Sequence, residues 1–216
     1  MSREQERERL IQRLKSSGCL RKKEVEGAML KVERHLFIPA SQQSKAYVDM
    51  PLHIGRGQTI SAPHMVAMMS ELLDVAAGQR VLEVGAGSGY QAAVLGELLG
   101  EGGVLYTVER VPELAERAKK TLEELGYSNV NVVAGEGTLG YVEAAPYDRI
   151  IVTAAAPHVP KALKAQLKEG GKLLIPVGGR SMQELLLIEK TGKKYKETRL
   201  GGCMFVPLIG EDAWSS

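Results

Sequence analysis

The chain has 216 residues, of which 44% are apolar and only 5% aromatic, and its net charge at neutral pH is +2. That length suits one domain or one domain with an extension, and the apolar fraction is ample for a core of Val, Leu, Ile, Ala and Met. So small a charge argues against obligate nucleic-acid binding, and no run of about 18 apolar residues is present to span a membrane.

The opening MSREQERERLIQRLK mixes charges and lacks the apolar stretch of a signal peptide. Cys19 and Cys203 match no metal-binding or C-x-x-C spacing, so a reduced, cytoplasmic protein is expected, with a single disulfide as the alternative. There are two Asn and four Asp against 22 Glu. Asn and Asp are the chemically fragile members of their pairs, so the bias fits a heat-adapted source or, equally, family drift.

Leu10, Ile11 and Leu14, then Val25, Met29, Val32 and Leu36, recur at helical spacing and predict helices over 3–16 and 22–36, broken at SSGCL. Residues 37–57, FIPASQQSKAYVDMPLHIGRG, read as irregular. A helix follows from about Ala62 to Leu73, with Ser61 as its N-cap and Pro63 in its first turn.

From residue 80 the pattern alternates. RVLEVGAG, GVLYTVE, NVNVVAG, YDRIIVTAA and KLLIPVG read as strands, separated by the helical GYQAAVLGELL, PELAERAKKTLEELG and PKALKAQLKEGG. Pro112 opens the second of these helices and Gly126 closes it. QELLLIEKTGKKYKETRL reads as two antiparallel strands turning at KTGKK. The expected fold is α/β: a doubly wound, mostly parallel, Rossmann-like sheet with an antiparallel C-terminal hairpin and an N-terminal helical extension. One domain is expected over 1–216, with 1–78 as extension and substrate-side segment and 79–216 as the cofactor-binding sheet core.

VLEVGAGSGY puts Gly85, Gly87 and Gly89 where a buried strand turns into a helix, which suits close approach of backbone N–H groups to a ligand. The dinucleotide fingerprint G-x-G-x-x-G would need glycine at 90, where Tyr90 stands, so the loop suits a ligand without a pyrophosphate. Glu109, 20 residues after Gly89, ends the second strand and has the reach to accept hydrogen bonds from both ribose hydroxyls. Glu136 ends the third strand. Two carboxylates and a glycine loop at successive strand ends describe an adenosine derivative.

VLEVGAGSGYQAAVL, YTVER, VVAGEGTLG, APYDRIIVTAAA and LKEGGKLLIPVG resemble the successive motifs of class I S-adenosylmethionine-dependent methyltransferases. More narrowly, AYVDMPLHIGRGQTISAPHMVAMM and FVPLIG resemble the protein-L-isoaspartate O-methyltransferase family, and the similarity runs from about residue 30 to 210. The resemblance implies methyl transfer from S-adenosyl-L-methionine to the free α-carboxylate of L-isoaspartyl residues in proteins and peptides. The product cofactor would be S-adenosyl-L-homocysteine, and the methyl ester would collapse to a succinimide, starting repair. By the same resemblance Gly85, Ala86, Gly87 and Gly89 lie under the methionine moiety, Glu109 and Arg110 at the ribose, and Glu136 and Gly137 beside the adenine. The family has Asp at the place of Glu136, so a longer side chain would shift that contact. Thr59, Ile60, Ser61 and His64 would line the cofactor and substrate pockets, and Phe205 to Leu208, with Val206 and Leu208 foremost, would contact the bound peptide through its backbone.

An ionised carboxylate attacking a sulfonium methyl needs no base and no metal, so a chain without an acid–base dyad is compatible with the reaction. Ser61 is expected to hold the carboxylate at a helix N-terminus as the catalytic positioner. TISAP is no nucleophile elbow. Asp49 reads as catalytic or as a structural hydrogen bonder, Asp148 as fixing the turn before the fourth strand, and Cys203 as a packed thiol. Three competing readings exist. Methylation of a nucleic-acid base is opposed by TAAAP where a [DN]-P-P-[YF] segment would stand. A nicotinamide oxidoreductase is opposed by Tyr90. A non-catalytic adenosine-binding module is the third. The expected partners are isoaspartyl peptides, with neither nucleic acid nor membrane, and the expected state is a monomer.

Overall fold

The computed structural model describes residues 1–215. Its centre is a seven-stranded sheet of β3 (Arg80–Val84), β4 (Val104–Glu109), β5 (Val130–Ala134), β6 (Tyr147–Val152), β7 (Leu167–Gly178), β8 (Gln183–Thr191) and β9 (Lys194–Cys203). The order is β5-β4-β3-β6-β7-β8-β9; the first five are parallel, and β8 and β9 are antiparallel additions. The chain winds outward in opposite directions from β3, through β4 on one side and β6 on the other. The crevice beyond the carboxyl ends of β3 and β6 is therefore the switch point where such sheets bind ligands.

Both faces of the sheet's centre are covered, which is why β3, β6 and most of β7 are apolar, while the edge strand β9 is polar and largely exposed. Leu82, Val84, Ile150, Val152, Leu173 and Ile175 pack on one face with Leu163 of α6 (Lys161–Ala165). Val81, Ile151 and Leu174 join the other core, with α1 (Arg3–Ser16), α2 (Lys23–Lys31), α3 (Pro63–Leu73) and α4 (Tyr90–Leu99). The N-terminal extension thus shares a core with the sheet. α4 is buried almost all round, and a Cβ at its Gly96 would lie 2.9 Å from Val130 Cγ2. Close packing of helix on strand requires glycine there. α5 (Pro112–Glu124) buries Leu114, Ala115, Ala118 and Leu122 and leaves its charged face in water.

Three expectations need correction. The helix expected over 22–36 stops at Lys31; Val32 is extended and Arg34–Phe37 form a 3₁₀ turn. That turn buries Arg34 and Phe37 and turns Leu36 out to 40% exposure, so the apolar spacing crossed a turn. The helix expected over 160–171 spans only Lys161–Ala165, because Leu167 already pairs with Tyr147 and the Gly170–Gly171 pair sits in a bulge of β7. Gly170 has φ +71, and a Cβ on Gly171 would meet the Lys168 carbonyl at 2.9 Å, so glycine bends a strand here and does not end a helix. Within the supposedly irregular segment, β1 (Leu52–Gly55) and β2 (Gln58–Ile60) form a hairpin. It turns on Arg56 (φ 53) and Gly57 (φ 71), the paired positive φ of a type I′ turn.

Polar side chains tie the strand ends. The Asn129 amide donates to the Gly96 and Gly100 carbonyls at 2.9 and 3.0 Å, and the Asn131 amide to the Leu105 carbonyl at 3.3 Å. Asp148 accepts from the Arg80 N–H at 2.8 Å and from the Lys168 ammonium at 2.9 Å, joining the starts of β3, β6 and β7. Among the described residues no helix is long and apolar enough to cross a membrane.

Glu83, in the middle of β3, is fully buried. The Thr107 hydroxyl donates to its Oε2 at 2.5 Å, and Oε1 has no partner among the described residues. Burial pushes its carboxyl up to about 8, with the charge of Glu109 adding and the Thr107 bond opposing. An acid whose folded pKa is raised contributes stability that is fully present below its unfolded value and is lost as pH rises towards the folded value. Glu83→Gln, which keeps the neutral form's shape, is therefore expected to raise the melting temperature relative to the parent at pH 8 and to leave it nearly unchanged at pH 4.5. Calorimetry at the two pH values measures the difference.

Candidate active site

The glycine loop follows β3, and its three glycines all have positive φ. Gly85 has φ +100, and a Cβ there would lie 2.4 Å from Thr153 Oγ1. The Thr153 hydroxyl sits against the Gly85 carbonyl at 2.6 Å and the Val84 carbonyl at 3.1 Å, clamping the end of β3 to the end of β6. Gly89 (φ +86) is the N-cap of α4 and backs onto Ala118 and Leu122 of α5. Its role is helix packing rather than lining the crevice.

Glu109, 7% exposed at the end of β4, accepts from the Gly87 N–H through Oε2 and from the Val111 N–H through Oε1, both at 2.9 Å. Each carboxylate oxygen has two lone-pair sites, so one per oxygen remains for a ligand. Val84, Gly85, Gly87, Glu109, Arg110 and Gly137 line a cavity there, bounded on the far side by Thr59 and by Val206 to Ile209. A smaller cavity adjoins it, lined by Ile60, Ser61, Ala86, Ser88, Tyr90 and Gln91. Thr59, Gly85, Gly87 and Thr153 line both. The β1–β2 hairpin therefore brings Thr59, Ile60 and Ser61 to the glycine loop. A wider groove between α1 and residues 44–48 carries none of these strand-end groups.

The chain matches, over residues 4–213, the family described as protein-L-isoaspartate(D-aspartate) O-methyltransferase. It is 60% identical to the protein-L-isoaspartate O-methyltransferase of Methanopyrus kandleri, over 96% of this chain and 93% of that one. With the Staphylothermus marinus protein of the same name it shares 56%, over 98% and 97%. The chain belongs to the protein-L-isoaspartate O-methyltransferase family. A solved protein-L-isoaspartate O-methyltransferase superposes with a TM-score of 0.87 at 32% identity, covering 96% of this chain and 67% of that one. A putative protein-L-isoaspartate O-methyltransferase from Plasmodium falciparum, in complex with S-adenosyl-L-homocysteine, superposes with a TM-score of 0.84 at 29% identity, over 95% and 99%.

Within this methyltransferase the structure corrects four details of the expected site. The N-cap of α3 is Ala62, not Ser61, and no side chain of the cap residue bonds to the helix. Asp49 takes that part from a distance in sequence: its Oδ1 accepts from the His64 N–H and meets His64 Nδ1, both at 2.9 Å. The Ser61 hydroxyl is therefore not engaged in capping. His64 consequently faces Asp49 and does not line either cavity. Glu136 lines neither cavity: its carboxylate accepts from the Thr138 N–H and hydroxyl, both at 2.7 Å, and packs on Gly210. The carboxylate thereby caps the short turn at Gly137–Leu139. Finally, the Val206 carbonyl accepts from the Ala155 N–H and the Leu208 N–H donates to the Ala155 carbonyl, both at 2.8 Å, so these backbone groups are already engaged with the stretch that follows β6.

Thr153 is the site residue the sequence reading missed; its signal was a hydroxyl among alanines at a strand end. Asp148, expected to fix the turn before the fourth strand, lies within β6 and ties it to Arg80 and Lys168. The Cys203 thiol is pushed up to about 11 by burial and by the charge of Glu184, in keeping with a packed thiol. Asp49→Ala is expected to cost about 0.5–2 kcal/mol, the range for losing a helix cap. Ser61→Ala is expected to stay within about 0.5 kcal/mol of the parent. Urea titrations of the two variants measure the contrast, and a large loss for Ser61→Ala would restore it as a cap.

Proposed function

We propose that the glycine-loop cleft holds S-adenosylmethionine with its ribose on Glu109, and that the Ser61 hydroxyl holds the isoaspartyl α-carboxylate beside it. The activity of the family to which the chain belongs is S-adenosylmethionine-dependent methylation of L-isoaspartyl residues in proteins. The observation that carries the site reading is the pair of adjoining cavities. One ends at a buried, backbone-anchored carboxylate, the other at an uncommitted serine, and they meet at Gly85, Gly87 and Thr153. The residues present fit an adenosyl group with an amino-acid tail, apart from Glu136, whose carboxylate is occupied by Thr138.

Bound S-adenosylmethionine supplies a methyl group on a sulfonium sulfur, which leaves as a neutral thioether. The protein's part is to orient and to exclude water. The Ser61 hydroxyl donates to one carboxylate oxygen and leaves the other free to attack, while the N-terminus of α3 adds its partial positive charge. The carboxylate is already ionised at neutral pH, so no side chain takes a proton. Orientation of this kind is worth up to about 7–11 kcal/mol. After release, the main-chain nitrogen of the following residue attacks the ester carbonyl and expels methanol, and the resulting succinimide reopens in part to normal aspartate.

We also infer that the protein works in the cytoplasm as a monomer and takes neither nucleic acid nor membrane. This rests on its two free cysteines, the small net charge and the shared core that ties the N-terminal helices to the sheet.

With labelled S-adenosylmethionine, an isoaspartyl peptide is expected to gain base-labile label while its aspartyl counterpart gains none; equal labelling of both overturns the reading. Ser61→Ala is expected to lower kcat by about 10- to 100-fold, with S-adenosylhomocysteine affinity by calorimetry within about threefold of the parent. Unchanged kcat would remove Ser61 from the site.

A further inference from the structure

Arg34 is a fully buried arginine with no carboxylate in hydrogen-bonding contact. Its Nε donates to the Ala46 carbonyl at 2.9 Å, and its Nη2 reaches the Met50 carbonyl at a long 3.5 Å. Its guanidinium lies 5.0 Å from the centre of the Tyr90 ring, and Nη1 is buried with no partner among the described residues. Burial pulls its pKa down to about 10, against the opposing influence of Tyr90, Asp49 and Tyr47. Taking an arginine out of water is costly unless its donors and charge find compensation. A hydrocarbon side chain would fill the same volume without that cost, so packing alone gives no reason for a guanidinium here.

What the guanidinium touches supplies the reason. Ala46 and Met50 bracket Asp49, and Asp49 is the group that caps α3 through His64. α3 begins directly after Ser61 and Ala62. Tyr90 begins α4 directly after the glycine loop and lines the same small cavity as Ser61. Arg34 thus grips the segment that fixes one wall of the cavity and stacks on the first residue of the other wall. We infer that Arg34 is a positioning residue for methyl transfer: by holding residues 46–50 against Tyr90 it sets the spacing between Ser61 and the glycine loop. The inference rests on the proposed role of Ser61. Planarity matters to it, since one flat group must meet two carbonyls and a ring face, which a lysine ammonium does not do.

Arg34→Met and Arg34→Lys, assayed well below their melting temperatures so that the folded fraction equals that of the parent, are each expected to lose about 10- to 100-fold in kcat on an isoaspartyl peptide. S-adenosylhomocysteine affinity by calorimetry should stay within about threefold, because the Glu109 end of the cleft is untouched. Arg34 is argued to act through Asp49, so the effects must not multiply: Asp49→Asn added to Arg34→Met should lower kcat by no more than about twofold further. A variant with lowered melting temperature but kcat within twofold of the parent would make Arg34 structural only and overturn the inference, as would losses that multiply. If Arg34→Met fails to fold, the Lys variant carries the same cycle. Parent-like kcat in Ser61→Ala would remove the role of Ser61 alone, while the Arg34–Asp49 coupling is read independently of it.

Discussion

The carboxylate of Glu109 is the joint on which the glycine-loop side of the cleft depends. One oxygen binds the N–H of the glycine loop after β3 and the other the N–H that precedes α5 after β4. Two crossover connections of the sheet are thereby fixed to each other by a single side chain. Its low exposure makes those hydrogen bonds stronger than they would be in water, and charge-assisted bonds are the strong class. A shorter or neutral residue would loosen both loops at once, and the floor of the cleft would lose its shape before any ligand arrived.

The other wall of the cleft is built differently. It comes from residues 49–64, which form no strand of the main sheet and hold their place through the small β1–β2 hairpin and through packing of α1, α2 and α3 on the sheet's face. The N-terminal helices are therefore part of how the site is made. On the proposed function, the sheet places S-adenosylmethionine and the extension places the isoaspartyl carboxylate. This division explains why the cleft is lined by residues as distant in sequence as Thr59, Gly85, Glu109, Thr153 and Val206.

Most of the sheet was legible because a parallel strand buried on both faces writes itself as a short apolar run, and because glycine and proline mark its boundaries. The glycine loop and Glu109 were legible for the same reason: their spacing from a strand end is a matter of local geometry. The errors fell where a tertiary partner overrides local pattern. Leu36 kept helical spacing in a segment that turns to bury Arg34 and Phe37. Gly170 and Gly171 resembled a helix end and proved to be a bulge. Ser61 carried the residue type and position of a helix cap, yet Asp49 does the capping, a contact made across 15 positions that no local rule records. Glu136 stood at the expected strand end, but its carboxylate is spent on capping the turn at Thr138. The order of the main-sheet elements follows from local sequence, although the β1–β2 hairpin escaped it; the aim of individual side chains follows from what lies opposite.

The two asparagines have a consequence for the molecule's own ageing. A succinimide forms when the next residue's main-chain nitrogen swings in to attack the side-chain carbonyl. Asn129 and Asn131 have their amides held on backbone carbonyls, Asn131 lies within β5, and valine follows each. None of the four aspartates precedes a glycine. The family acts on isoaspartyl residues, and this chain has few places where such a residue could form in itself.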